Sequence, residues 1–335
     1  MGNPDMARNC SLRLYSFLFH AMGTECHLHL YAADEAAAAS TMQAAVAEVG
    51  RIEARYSRYL PGSFLLEINR VAESGGGLAV DPETAGLLDF AWACYANSGA
   101  LFDITSGLLR RVWDFKSGLL PARESVEALL PKVGLDKVVW ENPVLRFPTP
   151  GLELDFGGLG KEYAADSAAA VCSARGIRHG LVDLGGDITV IGPHPDGAPW
   201  RVGIQLPGRP GALMAEIKLS AGALASSGDY ERYILADGLR YGHILDPRTG
   251  WPARGLSSVS AVSAQCMVAG SVSTIAVLKG ALGVPWLQSL DVSHCWMDED
   301  GRQGGTLPLL GAAGPACPAP TARPTTPPPI RPATP

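Results

Sequence analysis

The 335-residue chain has no basic stripe, no paired cysteine motif and no long apolar run, and each absence closes off a class of function. Lys and Arg number 27 against 33 Asp and Glu, a net charge of -6, so a nucleic-acid partner is not expected. The seven cysteines (10, 26, 94, 172, 266, 295 and 317) include no CxxC and no metal-ligand spacing, and they read as scattered reduced thiols. No stretch of about 18 apolar residues stands out, so no membrane-spanning helix is expected. Residues 10–22, CSLRLYSFLFHAM, are broken by Arg13 and His20 and have no clean apolar segment before a small-residue cleavage site. The expected location is therefore cytoplasmic. The glycine-rich run DFGGLGKEY at 155–163 is neither GxGxxG nor a Walker A loop, because Asp155 replaces the first Gly and Glu162 the Ser or Thr. The C-terminal run PAPTARPTTPPPIRPATP has almost nothing to bury.

What is present is enough apolar material, 47% of residues with 18% charged, to form a sizeable core. Helices are expected at 34–56 with Asp34 as cap, at 82–98 behind Asp81 and Pro82, and at 123–133, 160–176 and 269–280. Strands are expected at 24–31, at 136–148 around Asn142-Pro143, at 152–156, 181–184, 200–206, 213–219 and 258–263, and after Cys295. Helices and strands do not alternate regularly and several strands come as hairpins, which reads as a single α+β domain. Its expected extent is residues 20–305, between an N-terminal extension (1–19) and a disordered Pro-rich tail (306–335).

Residues 224–251 hold the densest set of reactive side chains. Asp237-Gly238 between two alternating runs is a hairpin signal. It pairs residues whose numbers sum to 475, so Arg232 faces His243 and Tyr230 faces Leu245. Tyr230, Arg232 and Ile234 then share a face with Tyr241, His243 and Leu245, a poor composition for a core. The segments 226–229 and 246–250 read as flanking turns with hydroxyls and backbone amides suited to phosphate or carbonyl oxygens. A solvated polar hairpin fits the same composition.

Several blocks, in order, resemble the ApbE family, the FAD:protein FMN transferases. SSGDYERY (226–233) with YGHILDPRTGWP (241–252) is similar to T-S-G-[DN]-Y-E-R-Y followed by H-[IV]-[IL]-D-P-x-T-G-x-P. ALFDITSGLLRRVWDF (100–115), LELDFGGLGKEY (152–163), LVDLGGD (181–187) and AGSVSTIAVLKG (269–280) extend the likeness to roughly residues 20–305. The resemblance implies a T-fold-like core holding FAD between its halves. It implies flavin contacts at Met22, Tyr59, Leu101, Phe102, Asp103, Gly157, Tyr163 and Ile244. It also implies a magnesium site built from the Gly160 carbonyl, Ser273 and Thr274.

The implied reaction moves FMN from FAD to a Thr or Ser hydroxyl of an acceptor protein and releases AMP. His243 is the candidate base, kept neutral by Arg232 opposite it. The family places Asp where this chain has Gly270, and Gly where it has Glu162. With Gly270 the magnesium site is expected to be weak, and an Asp at 270 is expected to strengthen it. A hydrolase producing FMN and AMP from FAD, and a catalytically impaired FAD-binding protein, are the alternatives.

Overall fold

The computed structural model describes residues 12–230 and 232–310. Residues 1–11 of the expected extension and 311–335 of the expected tail lie outside the described residues. The chain opens with β1 (Arg13–Ala21) and β2 (Thr24–Ala32), then α1 (Glu35–Tyr56), α2 (Phe64–Ser74), β3 (Gly76–Ala79) and α3 (Pro82–Ser98). A 3-10 stretch (Ile104–Arg111), α4 (Arg123–Leu129), β4 (Val139–Glu141) and β5 (Val144–Phe147) lead to a glycine loop and α5 (Gly160–Ala174). Next come β6 (Gly180–Leu184), β7 (Asp187–Gly192), β8 (Trp200–Gln205), β9 (Leu213–Leu219) and β10 (Gly222–Gly228). The chain continues with β11 (Tyr233–Ala236), β12 (Leu239–Gly242), β13 (Leu256–Ser263), α6 (Cys266–Lys279), α7 (Gly283–Gln288), β14 (Ser293–Asp298) and β15 (Gln303–Gly305).

One antiparallel sheet of eight strands, ordered β1-β2-β6-β7-β10-β13-β14-β15, is the floor of the molecule. Its two faces are sorted by the two-residue period of the strands. Val182, Ala223 and Ala225 point into the main core beneath α1, α5 and α6, whereas Leu181 and Leu224 point into a second cluster covered by the β8–β9 hairpin. These packed layers form a single α+β domain, as the mixed pattern of elements implied.

The helix signals hold up locally. Asp34 Oδ1 accepts from Ala37 N at 2.8 Å, and Asp81 caps α3, which has Pro82 at its first position and ends at Gly99 in the left-handed region. Residues 13–19, expected to precede the domain, are instead the body of edge strand β1. Residues 306–310, expected in the tail, fold back onto β9: Leu309 bridges Ala215, and Leu310 N donates to Met214 O at 2.8 Å. Cys266–Gln288 is long and apolar enough to cross a membrane by composition, with mean hydropathy 1.6, although no such run was expected. Most of α6 is buried between the sheet and its neighbours, so its apolar character serves the core.

Residues 152–156, expected as a strand, run extended but join no sheet. The side chain of Asn69 on α2 substitutes for a neighbouring strand. Its amide nitrogen donates to Leu154 O at 2.9 Å, and its oxygen accepts from Leu154 N at 2.8 Å. The next backbone amide, Asp155 N, donates to Ile104 O at 2.8 Å. This segment aims the glycine loop, so Asn69→Ala leaves a buried donor and acceptor unpaired. The expected loss is about 2 kcal/mol in urea denaturation. An unchanged midpoint would show that water replaces the amide without cost.

Candidate active site

The glycine loop delivers α5 against α6. The amides of Gly157, Leu159 and Gly160 are committed inside the loop, to Asp155 Oδ1, Phe156 O and Phe156 O respectively, each at 2.8 Å. Those three amides are therefore spent on the tight turn of the loop itself. Asp166, in the second turn of α5, reaches across to α6. Its Oδ1 accepts from Cys266 N at 2.9 Å and from Thr189 Oγ1 at 3.0 Å, and its Oδ2 accepts from Met267 N at 3.1 Å. Gln265 provides no side-chain cap, so Asp166 caps α6 from the neighbouring helix.

Where the two helices meet lies a set of oxygens. Ser227 Oγ, on β10, is 2.8 Å from both Ser273 Oγ and Thr274 Oγ1, and Ser273 Oγ donates to Gly270 O at 2.9 Å. Residues 226–228 were expected as a turn, but they are sheet residues paired with 258–260, which is how Ser227 comes to face α6. Lys161 Nζ binds Asp187 Oδ2 at 2.5 Å, with Asp187 almost wholly enclosed. Glu162 is buried, and its Oε2 has no hydrogen-bond partner. Burial, then the charge of Asp187, raises its pKa. A Cβ built on Gly270 would sit 2.6 Å from Glu162 Cγ and 2.7 Å from Oε1. The volume a side chain at 270 would fill is therefore taken by the Glu162 carboxylate. This corrects the expectation that Asp at 270 would simply add a ligand, since it would collide with the acid already there.

The hairpin of β11 and β12 has the expected register, Tyr233↔Gly242 through Ala236↔Leu239, with Asp237 (φ 51°) and Gly238 (φ 74°) as its turn. The ladder stops short of Arg232 and Tyr230. The face carrying Ile234, Tyr241 and Leu245 is not solvated: it packs on Leu108, Leu109 and Trp113. Trp113 Nε1 donates to Gly250 O at 2.8 Å, pinning the 246–250 turn, and its ring meets Trp251 edge-on at 5.2 Å. His243 follows this anchored hairpin with Nδ1 sealed from water and unpartnered. Burial, then Arg110, then Arg232 lower its pKa from 6.5 to about 4. The imidazole is neutral, as expected, but Arg232 is the third cause rather than the first.

The remaining residues expected around flavin divide into three settings. Phe102 is buried with its ring against the glycine loop, 3.4 Å from where a Cβ on Gly158 would lie, and Leu101 is buried beside it. Ser98 Oγ accepts from both of their amides. Both oxygens of Asp103 are committed, Oδ1 to Thr105 and Oδ2 to Leu135 N, so Asp103 shapes the Phe102 loop and presents no open carboxylate. Tyr59 is 74% exposed, with Arg58 over its ring at 5.8 Å. Arg58 in turn binds Asp155 at 3.0 Å and Glu153 at 2.9 Å, tying Tyr59 to the glycine loop. Tyr163 donates its hydroxyl to Glu83 Oε1 at 2.7 Å, and Ile244 is half-buried against the main core. Met22 holds a left-handed φ of 52° in the β1–β2 turn, fixed by its amide donating to Glu53 Oε1 at 2.9 Å.

Sequence reasoning missed Ser227, Lys161, Asp166 and Asp187 as parts of this cluster. Only the paired departures at Glu162 and Gly270 drew attention to the contact between α5 and α6.

The α+β domain thus carries a cluster of hydroxyls and a buried carboxyl where α5 meets α6. The ApbE family model matches residues 22–296, and the chain belongs to the ApbE family. It is 31% identical over 267 residues to the FAD:protein FMN transferase of Rhodobacter capsulatus, covering 78% of this chain and 51% of that protein. The enzyme of that name from Vibrio cholerae is 33% identical over 189 residues, covering 54% of this chain and 56% of its own length. The chain thus spans little more than half the length of these two relatives. The solved ApbE structure from Thermotoga maritima superposes with TM-score 0.79 at 28% identity, covering 88% of this chain and 97% of that one.

The Lys161–Asp187 pair offers a direct test of the cluster. Lys161→Met strands a buried carboxylate and is expected to lower stability by about 3 kcal/mol in urea denaturation. Adding Asp187→Asn should recover much of that loss. A double variant no more stable than the single one would mean that the ion pair is incidental.

Proposed function

We propose that this chain is an FAD:protein FMN transferase, acting on FAD and on a protein that presents a Thr or Ser hydroxyl. The observation that carries the reading is the imidazole of His243, neutral and with Nδ1 unpartnered, within the field of Arg110, Arg232 and Lys161. Cations around a neutral base suit a diphosphate attacked by a hydroxyl. Family membership and the named relatives support the same reading.

In the proposed reaction the acceptor oxygen bonds to the phosphorus of the FMN half. The bond from that phosphorus to the bridging oxygen breaks, and AMP leaves with the bridging oxygen. The hydroxyl proton passes to His243 and then to solvent. His243 is a weak base in the free protein because burial and the three cations oppose its protonation. A bound diphosphate offsets those cations, so basicity is restored when substrate is present. Phe102, Tyr163, Ile244 and Met22 would bind the flavin half, with Tyr59 closing over it.

The residues present fit a magnesium ion. The donors the resemblance implies are all oxygens, namely the Gly160 carbonyl and the Ser273 and Thr274 hydroxyls, and the buried Glu162 carboxyl, whose Oε2 is unpartnered, packs against Gly270 one turn before Thr274. When bound, such an ion would neutralise and polarise the diphosphate.

The reading is tested by incubating the full chain with FAD, magnesium and a candidate acceptor protein, and following both AMP release and in-gel flavin fluorescence of the acceptor. Transfer predicts both signals together. AMP and FMN without a labelled acceptor would instead support hydrolysis. His243→Ala should lower the rate by about 10²–10⁴-fold with FAD affinity nearly unchanged. Because the base must be neutral and its pKa lies near 4 in the free protein, His243 should cause no loss of kcat/KM between pH 8 and 5. An acidic inflection near 6.5 that disappears in His243→Ala would contradict the burial account.

A further inference from the structure

We propose that Glu162 is the carboxylate ligand of a hard divalent cation at the α5–α6 crossing, reaching the site from α5 because α6 presents only Gly270 there. The inference rests on the transferase reading for its purpose, but its geometry stands alone.

Glu162 is an acid with no evident structural reason to be where it is. It is buried, and its Oε2 meets no donor. Enclosing an unpaired carboxylate costs several kcal/mol unless a cation or a proton compensates it. The ammonium nearby is already engaged, since Lys161 is bound to Asp187 at 2.5 Å. Asp166 is occupied with the amides of α6. If all three acids are ionised they share one ammonium, and a divalent cation neutralises the remaining charge.

The backbone makes room for this acid in particular. A Cβ on Gly270 would lie 2.6 Å from Glu162 Cγ and 3.0 Å from Cδ, so the absence of a side chain at 270 is what admits the carboxylate. Around the same spot stand Ser273, whose hydroxyl binds Gly270 O, and Thr274, with Ser227 Oγ bridging their two hydroxyls. Among the described residues no three of His, Cys, Asp and Glu gather at one point that could hold a metal ion. The donor set is therefore one carboxylate with hydroxyl and carbonyl oxygens. Such a set suits magnesium, which keeps part of its shell for substrate phosphates and water. A short acid from α6 and a longer acid from α5 compete for the same point, since a Cβ at 270 would lie 2.6 Å from Glu162 Cγ in its present position.

The test uses Mn²⁺ as a probe, titrated by electron paramagnetic resonance into the full chain with and without FAD, alongside thermal melts. Wild type should bind one Mn²⁺. Glu162→Gln, which keeps the volume, should weaken Mn²⁺ binding at least tenfold. Gly270→Asp alone should lower the melting temperature, because the new side chain meets Glu162. The exchange Glu162→Gly with Gly270→Asp should return both melting temperature and Mn²⁺ affinity to near wild type. Glu162→Gln binding Mn²⁺ like wild type would overturn the proposal. So would an exchange variant that melts like wild type yet does not bind, or a wild-type chain that binds no Mn²⁺ in either condition. Unchanged Mn²⁺ affinity in Glu162→Gln, with magnesium-dependent flavin transfer intact in wild type, would sink this ligand assignment and leave the transferase reading standing. Mn²⁺ binding that depends on Glu162 in a chain that takes up no FAD would do the reverse.

Discussion

The close crossing of α5 over α6 is the constraint on which the rest of the site depends. Gly270 is where α6 leaves room for the Glu162 side chain of α5, since a Cβ there would lie 2.6 Å from Glu162 Cγ. The same crossing is fixed a turn away by Asp166, which supplies from α5 the cap that α6 lacks. Because α6 lies on β10 and β13, locking it to α5 also fixes Ser227 against Ser273 and Thr274. The oxygen cluster is thus a product of helix packing on the sheet, and it does not depend on a mobile loop.

A second layer of charge organises the approach to this cluster. Arg58 and Arg111 bind Glu153 at 2.9 Å each, Arg58 binds Asp155 at 3.0 Å, and Arg110 lies 3.6 Å from the same Asp155. These pairs hold a segment that has no strand partner, and Arg110 is also among the cations acting on His243. The imidazole is half-buried with Nδ1 shut off from water, neutral, and acted on by positive charge before any anion arrives. Preorganisation of this kind suits a reaction whose substrate carries its own negative charge.

Much of the fold was legible in the sequence wherever local chemistry decides structure. Asp34 and Asp81 marked helix starts, and Asp237-Gly238 fixed a register that the ladder from Tyr233 to Gly242 reproduces. Long-range partners were not legible. Residues 152–156 have a strand's composition, but their partner is the side chain of Asn69, which no periodicity reveals. The hairpin face with Tyr241 looked solvated because Trp113, which covers it, lies more than a hundred residues away in the chain. Gly270 read as a lost ligand because a missing side chain is visible in a sequence, whereas the acid that fills its volume from another helix is not. Glu162 stood out only as a misfit in a glycine loop until the two positions were seen to touch.

The most direct test of the account is a crystal structure of the full chain grown with FAD and Mn²⁺, with the metal located from its anomalous signal. The account predicts a peak at coordination distance from Glu162, flanked by the Ser273 and Thr274 hydroxyls and a diphosphate oxygen. A peak elsewhere, or a Glu162 carboxyl still packed on Gly270 without a metal while FAD occupies the site, would contradict it.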